Sequence, residues 1–409
     1  MVLGTRPEAV KLAPVVAEMR RTGLLEPVVI STRQQRDLLP STLADLGLTV
    51  DYELPAPQDH GLADRLAQTV AGTAALLAAV PLAAVVVQGD TISSLGAAQA
   101  AFYSGVAVIH VEAGLRSGQR LSPFPEEVNR KSISVMAALH LAPTQDAADH
   151  LRAEGIAGDA IIVTGNTVVD ALHAYAAEDG GADDWLGGLV ASGRQIVVLT
   201  MHRRESWGEP MRGVSEAVAR VLDERNDTVV VVPAHPNPVI RGALTALVAA
   251  PDAIVIEPLP YRRFLRLLSV ADVVLTDSGG IQEEAPSFGV PVLVLREVTE
   301  RAEGIRSGAA VMVGLDPDAV SRHLRAALDR PRRTVWTDVV GVNPYGDGRA
   351  AQRCVAAIAD LLDARPNVGR DVGRPPATER DAPPPDPADL GSAQPELSRS
   401  SSAGATTLR

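Results

Sequence analysis

Short runs of β-branched and other apolar residues alternate along the chain with longer Ala- and Leu-rich stretches. The apolar runs predict strands at 28–31, 83–88, 106–111, 161–164, 195–200, 228–233, 253–256, 273–276 and 292–295. Stretches such as 62–80 and 210–225 have helical periodicity. This alternation is typical of parallel sheets with helices on both faces, and nine strands are many for one sheet. The pattern predicts an α/β fold of two domains, with a seam between about 165 and 195.

The two ends of the chain break this pattern. Only Met1, Val2 and Leu3 precede Gly4, so we expect a truncated first strand or a start codon that was placed too late. The tail 364–409 is rich in Pro, Ser, Ala and Arg and has almost no large apolar residues. Such a segment cannot bury enough surface to offset its ordering entropy, so we expect it to be disordered.

Composition limits the partners and the location of the protein. A formal charge of -12 argues against a nucleic acid or an anionic membrane surface as partner, but not against a small anionic ligand. No run reaches the roughly 18 apolar residues of a membrane span, and no signal peptide is recognisable. Cys354 is the only cysteine, which excludes an intrachain disulfide and makes packing its expected role. A cytoplasmic location is therefore expected.

The segment 277–284, with the sequence DSGGIQEE, directly follows a predicted buried strand. A serine and two glycines at 278–280 open a predicted helix, whose free N–H groups and dipole would favour an anion. Glu283 and Glu284 follow one turn later, where carboxylates could hold ribose hydroxyls. The segment predicts a site for a nucleotide or nucleotide sugar, with an ordinary tight turn as the alternative.

A second candidate phosphate site lies at 4–8, with the sequence GTRPE. Pro7 suits the first position of a helix, which places Arg6 and Lys11 near that helix's N-terminus. Lysine is rare in this chain, with only two among 38 basic residues, so Lys11 stands out. The alternative is an ordinary helix start with solvated cations.

Two carboxylates follow predicted strands. Asp90 and Glu112 each lie at the carboxyl end of a parallel strand, the edge at which doubly wound sheets bind ligands. Burying an unpaired carboxylate there would be costly, which favours a functional role. Asp90 could instead cap the following helix, whereas Glu112 is a poor capping residue.

A third candidate carboxylate begins another predicted helix. Glu126 and Glu127 lie four residues before Arg130 and Lys131, so ordinary ion pairs along the helix could explain both. If Glu126 lies close to Asp90, the interpretation changes, because clustered acids raise one another's pKa and can supply both a base and an acid.

Histidines and arginines form a further candidate site. His202 precedes Arg203 and Arg204 at the end of a predicted strand, a combination that suits a diphosphate, and His235 is a weaker candidate. The sequence has no Cys/His cluster with metal spacing, no P-loop, no G-x-G-x-x-G and no G-x-S-x-G. Hydrolase, NTPase and NAD-dehydrogenase interpretations therefore lack their motifs.

Taken in order, these motifs resemble the non-hydrolysing UDP-N-acetylglucosamine 2-epimerase family. The matching segments are GTRPEA (4–9), GDT (89–91), HVEAGLR (110–116), PEE (125–127), TGNT (164–167), HRRES (202–206), DSGGIQEE (277–284), TER (299–301) and NPYGDG (343–348). The resemblance implies a GT-B fold, with two Rossmann-like domains whose parallel sheets face a central cleft. It implies an N-terminal domain at 1–168, a UDP-binding domain at 169–345, a final helix at 346–363 that crosses back, and a homodimer.

The resemblance also implies an activity. Members interconvert UDP-N-acetylglucosamine and UDP-N-acetylmannosamine by eliminating UDP to give 2-acetamidoglucal and adding it back, without a cofactor or a metal. The implied catalytic residues are Asp90, Glu112, Glu126 and His202. The implied substrate-binding residues are Arg6, Lys11, Arg130, Arg203, His235, Ser278, Gly279, Gly280 and Glu284, the last on the ribose.

The chain departs from the family pattern at two positions. Gln35 replaces a histidine in the region of the activating second UDP-N-acetylglucosamine site of bacterial members, so allosteric control is in question. Ala302 replaces a proline after 299–301. Three alternative functions stay open: a hydrolysing 2-epimerase, a GT-B glycosyltransferase and an inactive UDP-sugar binder.

Overall fold

Parallel strands dominate the computed structural model, which describes residues 1–37, 39–56, 61–176, 184–203, 206–235, 237–330 and 343–364. The strands are β1 (Val2–Leu3), β2 (Ile30–Ser31), β3 (Tyr52–Glu53), β4 (Ala84–Gln88), β5 (Ala107–Val111), β6 (Leu139–Ala142), β7 (Ile161–Val163), β8 (Gln195–Thr200), β9 (Thr228–Pro233), β10 (Ala253–Ile256), β11 (Val273–Thr276), β12 (Val292–Val294) and β13 (Ala310–Met312). The tail expected to be disordered, from 365 onward, and part of the expected seam, 177–183, lie outside the described residues.

Sixteen α-helices accompany these strands within the described part of the chain. They are α1 (Arg6–Thr22), α2 (Leu39–Leu46), α3 (Leu62–Ala79), α4 (Ile92–Tyr103), α5 (Glu126–Met136), α6 (Gln145–Ala153), α7 (Thr167–Ala176), α8 (Asp184–Ala191), α9 (Glu209–Asp223), α10 (Pro238–Ala243), α11 (Thr245–Ala249), α12 (Tyr261–Val270), α13 (Gly279–Ser287), α14 (Ala302–Arg306), α15 (Pro317–Leu328) and α16 (Ala350–Ala364). Among the described helices, none combines the length and the apolar character that crossing a bilayer requires.

The strands form three sheets. Their orders are β1-β2-β3, β4-β5-β6-β7 and β10-β9-β8-β11-β12-β13, and every described pairing between these strands is parallel. β1 also contacts β4, so the first two sheets lie next to each other. In the six-stranded sheet the order reverses between β8 and β11, and doubly wound folds bind ligands beyond the carboxyl ends of such strands.

Alternate residues of the central strands pack on opposite faces of the six-stranded sheet. In β8, Ile196 and Val198 enter one hydrophobic cluster, whereas Val197 and Leu199 enter another. This period of two arises because successive side chains of a strand point to opposite faces, and helices cover both. The strand predicted at 195–200 therefore has apolar residues at its four central positions, and all six of its residues are buried.

The predicted α/β architecture with parallel sheets is confirmed, but three strands were missed. β3 is two exposed residues long, and β13 has only three residues. β6 contains the buried His140, which interrupts its apolar run. The predicted strand at 28–31 is shortened to Ile30–Ser31.

The last helix is tied to α7. Asp170 of α7 accepts hydrogen bonds from the N–H groups of Ala350 and Ala351, at 3.1 and 2.8 Å, at the start of α16. α16 also packs on α1. Cys354 of α16 is fully buried, and burial raises the pKa of its thiol to about 12, which confirms its expected role in packing.

Candidate functional site

Asp90 and Glu112 lie at the same sheet edge. They follow β4 and β5, which pair in register up to Gln88 and Val111. Thr91, not Asp90, caps α4, because its Oγ1 accepts the N–H of Ser94 at 3.0 Å. The capping alternative for Asp90 is therefore wrong.

The Asp90 carboxylate is held by an ion pair. Arg130 donates from Nε to Asp90 Oδ2 at 3.0 Å and from Nη1 to Glu127 Oε2 at 3.1 Å. The Arg130 side chain is buried, whereas that of Asp90 remains 24% exposed. Arg130 thus contacts Asp90 from its buried side and fixes the orientation of its carboxylate.

His110, beside Asp90, is a buried neutral histidine. Burial lowers the pKa of His110 to about 3, and its ring nitrogen Nε2 lies 2.7 Å from the Gly89 carbonyl oxygen.

Glu112 has an unusual backbone conformation. Its φ of 62° lies in the left-handed region, which residues other than glycine rarely adopt and which is concentrated at functional sites. Its carboxylate contacts the ammonium of Lys11 and the amide of Gln88. Burial raises the pKa of Glu112, the Lys11 ammonium opposes that shift, and the Glu283 carboxylate adds to it.

Glu126, at the start of α5, lies close enough to Asp90 for the two carboxylates to influence each other. Its Oε2 is buried without a hydrogen-bond donor among the described residues. Burial raises the pKa of Glu126, and the charge of Asp90 raises it further. The expected i,i+4 pairs, Glu126–Arg130 and Glu127–Lys131, are not formed in the described structure: Arg130 pairs with Asp90 and with Glu127 at i,i+3, and Lys131 pairs with Glu154. Glu126 is therefore a partly buried acid beside a second carboxylate.

His202 is oriented by a buried aspartate. Its Nδ1 lies 3.1 Å from Asp277 Oδ1, and its backbone N–H donates to Asp277 Oδ2 at 2.9 Å. Burial would raise the pKa of Asp277, but hydrogen bonds from His202 and Arg203 outweigh burial and lower it. The His202 ring is half exposed, so its other nitrogen can meet a ligand. Burial lowers the pKa of His235, and the charge of the nearby His202 lowers it further.

The predicted anion site at 278–280 has the expected local structure. α13 begins at Gly279 with Ser278 as its N-cap, and the Ser278 hydroxyl makes no capping hydrogen bond. The first N–H groups of a helix have no partner within it, so they can bind an anion together with that hydroxyl. Behind this turn, the Arg301 guanidinium packs on Gly279, where an added Cβ would lie 2.8 Å from Arg301 Cζ.

The turn that leads into Arg6 is held in place by a buried glutamate. Glu8 is fully buried and accepts hydrogen bonds from Gly4 N–H at 2.8 Å and Thr5 N–H at 2.7 Å. The N–H of Arg6, the first residue of α1, donates to Gln35 Oε1 at 2.9 Å. Gln35, which departs from the family pattern, thus supports the Arg6 loop. Pro7 is the second residue of α1, one position later than predicted.

The two carboxylates of 277–284 have different environments. Burial raises the pKa of Glu284 to about 6 although the Arg6 charge opposes the shift, and the Tyr261 hydroxyl donates to Glu284 Oε1 at 3.2 Å. Glu283 is 1% exposed and ion-paired with Lys11 and Arg301. The expectation that both could hold ribose hydroxyls is therefore wrong for Glu283.

Lys11 links the sheet edge that carries Glu112 to the anion site at the start of α13, because it pairs with both Glu112 and Glu283. Sequence reasoning missed Asp277 and Arg301 as site residues and considered Glu283 only as a ribose ligand, although all three lie in recognised motifs. Asp277 could have been found, because it closes a buried strand just as Asp90 does. Glu283 and Arg301 gave no such signal, since their partners are distant in sequence.

Comparisons with known proteins point to one family. The family model described as UDP-N-acetylglucosamine 2-epimerase matches residues 17–359. The UDP-N-acetylglucosamine 2-epimerase of Bacillus subtilis is 39% identical over 356 residues, which cover 87% of this chain and 93% of the relative.

Two solved structures are similar over most of their length. The structure of S. aureus MnaA with UDP is 39% identical with a TM-score of 0.82, covering 88% of this chain and 96% of the other. The Neisseria meningitidis UDP-GlcNAc 2-epimerase bound to UDP-GlcNAc is 33% identical with a TM-score of 0.81, covering 88% and 98%. The predicted GT-B class is confirmed by this likeness.

Proposed function

Because the chain belongs to the UDP-N-acetylglucosamine 2-epimerase family, we propose that it interconverts UDP-N-acetylglucosamine and UDP-N-acetylmannosamine. The observation that carries the proposal is a group of three acids: Asp90 and Glu112, which follow β4 and β5, and Glu126 at the start of α5. Inversion at C2 requires a proton to leave one face of the sugar and another to arrive at the opposite face, so two proton-transfer groups are needed. Burial and neighbouring charges place these acids in unequal environments, which suits separate roles.

The proposed reaction is an elimination followed by an addition. A carboxylate removes the C2 proton, the electron pair forms a C1–C2 double bond, and the C1–O bond to UDP breaks. UDP and 2-acetamidoglucal are then held side by side. In the second step a phosphate oxygen re-forms the bond to C1, and an acid delivers a proton to the other face of C2. The proposed catalytic residues are Asp90, Glu112, Glu126 and His202.

Departure of UDP places negative charge on the diphosphate. We propose that the start of α13, Arg6 and His202 stabilise that charge, since fixed donors in a shielded site act most strongly where charge develops. Asp277 supports this role, because its contact with Nδ1 fixes the orientation of the His202 ring. Glu284 is proposed to hold the ribose. The remaining proposed binding residues are Arg203, His235, Ser278, Gly279 and Gly280. Lys11 and Arg130, which were also expected to bind substrate, are buried in ion pairs, so their proposed part is to hold Glu112 and Asp90 in place.

We propose that the chain belongs to the non-hydrolysing branch of the family, because its segments 4–8 and 299–301 match the motifs of that branch. In a hydrolysing enzyme the first step would be the same, but UDP and free N-acetylmannosamine would leave. A glycosyltransferase would need an acceptor and no cluster of three acids. An inactive binder is disfavoured by the presence of all four proposed catalytic residues.

We also propose a homodimer and a cytoplasmic location. Apolar side chains are exposed at Phe102 and Tyr103 of α4 and at Val135 of α5, and exposed apolar patches commonly mark association sites. Light scattering after size exclusion should give about twice the chain mass of 42.8 kDa. A monomer mass at micromolar concentration would contradict the homodimer.

The catalytic assignment is tested by neutralising each acid separately. Asp90→Asn, Glu112→Gln and Glu126→Gln should each lower kcat by about 100-fold or more, the contribution of positioned proton transfer. Glu224→Gln is the matched control, because Glu224 forms an exposed ion pair with Arg325 and should leave kcat unchanged. Unchanged turnover in all three acid variants would overturn the proposal.

A further inference from the structure

Glu283 is a buried carboxylate with cations on both oxygens. Oε2 lies 2.9 Å from Lys11 Nζ, and Oε1 accepts a hydrogen bond from Arg301 Nε at 3.0 Å. Its side chain is 1% exposed. Burying a carboxylate is unfavourable unless it is paired, and removing one partner of a buried pair leaves the other charge uncompensated.

Lys11 connects Glu283 to the proton-transfer acids. Its ammonium lies between Glu283 of α13 and Glu112 after β5. An ammonium is a compact charge with three rotatable donors, whereas a planar guanidinium presents donors in a fixed fork. The chain has only two lysines among its 38 basic residues, and Lys11 is one of them.

Arg301 connects Glu283 to the anion site. Its guanidinium packs so closely on Gly279 that an added Cβ would lie within 3.0 Å of three guanidinium atoms. A second carboxylate, Glu300, also pairs with Arg301. The Glu283 hydrogen bond to Nε thus fixes a cation directly behind the N-terminal turn of α13.

We propose that Glu283 is a positioning residue that holds Lys11 against Glu112 and Arg301 against Gly279. The proton-transfer acid for C2 and the diphosphate site for C1 are then parts of one rigid framework. This inference rests on the proposed function, because it takes Glu112 as a catalytic acid or base and α13 as the diphosphate site.

The framework predicts a pH effect with a definite sign. The groups that face Glu112 are Lys11 from α1, Gln88 from β4, Glu283 from α13 and Arg301 from the loop before α14. The Lys11 ammonium lowers the pKa of Glu112 more than the Glu283 carboxylate raises it, so releasing Lys11 should raise that pKa. The acidic limb of the kcat–pH profile should therefore move to higher pH in Glu283→Gln, and a purely structural defect would not move it.

The first test needs no activity. Burial lowers the pKa of Lys11, but the carboxylates Glu112 and Glu283 outweigh burial and raise it. Protein labelled with 13C at lysine Cε gives only two signals, Lys11 and the exposed Lys131. In Glu283→Gln the Lys11 signal should titrate at lower pH than in wild type, while the Lys131 signal stays unchanged as an internal control. Identical Lys11 titrations would overturn the inference.

The second test is kinetic. Glu283→Gln should lower kcat by about 100-fold, the effect of misplacing a reacting group by about 1 Å, and should shift the acidic limb. Glu283→Asp keeps the charge and should restore the limb to its wild-type position. A loss of kcat with an unmoved limb would assign Glu283 a structural role and overturn the inference. Failure of the wild-type protein to epimerise would instead overturn the proposed function, while the lysine titration would still decide the Glu283 contacts.

Discussion

Gly279→Ala should destabilise the protein because the new methyl group has no room. The added Cβ would lie 2.8 Å from Arg301 Cζ and 2.9 Å from Nη1, whereas carbon atoms normally approach to about 3.5 Å or more. An exposed arginine would swing away at little cost. The Arg301 side chain is only 10% exposed, and its Nε is bonded to Glu283 at 3.0 Å, so it cannot move without straining that ion pair.

The expected magnitude follows from two opposing contributions. Overpacking a tight site costs about 1–3 kcal/mol. Replacing glycine by alanine returns about 0.4–1 kcal/mol, because the unfolded chain loses freedom. Gly280→Ala is the matched variant, since its Cβ would meet its nearest neighbours at 4.0 Å. It should therefore gain the entropic contribution without the steric penalty.

Differential scanning calorimetry of the two variants checks this reasoning. Gly279→Ala should melt below wild type and Gly280→Ala at or above it; the shift per kcal/mol should be smaller than the roughly 2–4 °C of chains of about 150–250 residues, because this chain has 409. Isothermal titration with UDP should also show weaker binding for Gly279→Ala, because Arg301 is displaced from behind the anion site. Equal melting temperatures for the two variants would refute the claim that Arg301 is fixed against Gly279.

Three further predictions concern single side chains. Asp277→Asn should lower kcat roughly 100-fold by weakening the orientation of His202, and initial rates at wild-type level would contradict the His202–Asp277 pairing. The pKa of Glu284 is raised to about 6, so its carboxylate is ionised above pH 6 and protonated below. UDP affinity measured by calorimetry should therefore fall between pH 7 and pH 5, and this loss should be smaller in Glu284→Gln; equal pH dependence in both proteins would argue against a ribose contact. Cys354 should resist a thiol reagent at pH 8 in the native protein and react fully in guanidinium chloride, because it is buried with a pKa raised to about 12. Rapid native labelling would contradict its place in the core.

Periodicity alone was sufficient to predict most of the parallel strands. The runs at 195–200, 228–233, 253–256 and 273–276 match the observed strands residue for residue, because buried parallel strands are apolar on both faces. β6 escaped because His140 lies within it, with both ring nitrogens near backbone carbonyls, at 3.2 and 2.9 Å. A polar residue that finds partners inside the fold cannot be recognised by hydrophobicity.

The site was only partly predictable for a related reason. Asp90 and Glu112 were found because each follows a strand, and strand ends meet at one edge whatever the details of packing. The ion pairs of Arg130 with Asp90 and Glu127 were not predicted, because they depend on where β4 and α5 lie relative to each other in the fold. The same holds for Glu283, whose cations come from 272 residues earlier and 18 residues later in the chain.

The central claim is that the protein inverts C2 by elimination and re-addition. The most direct measurement is proton NMR of UDP-N-acetylglucosamine incubated with the protein in D2O. The account predicts that both UDP-linked isomers appear and that deuterium replaces the C2 proton, because the proton removed exchanges with solvent before its replacement arrives on the other face. Free N-acetylmannosamine with UDP would contradict the non-hydrolysing assignment, and retention of the C2 proton in both isomers would contradict proton removal at C2.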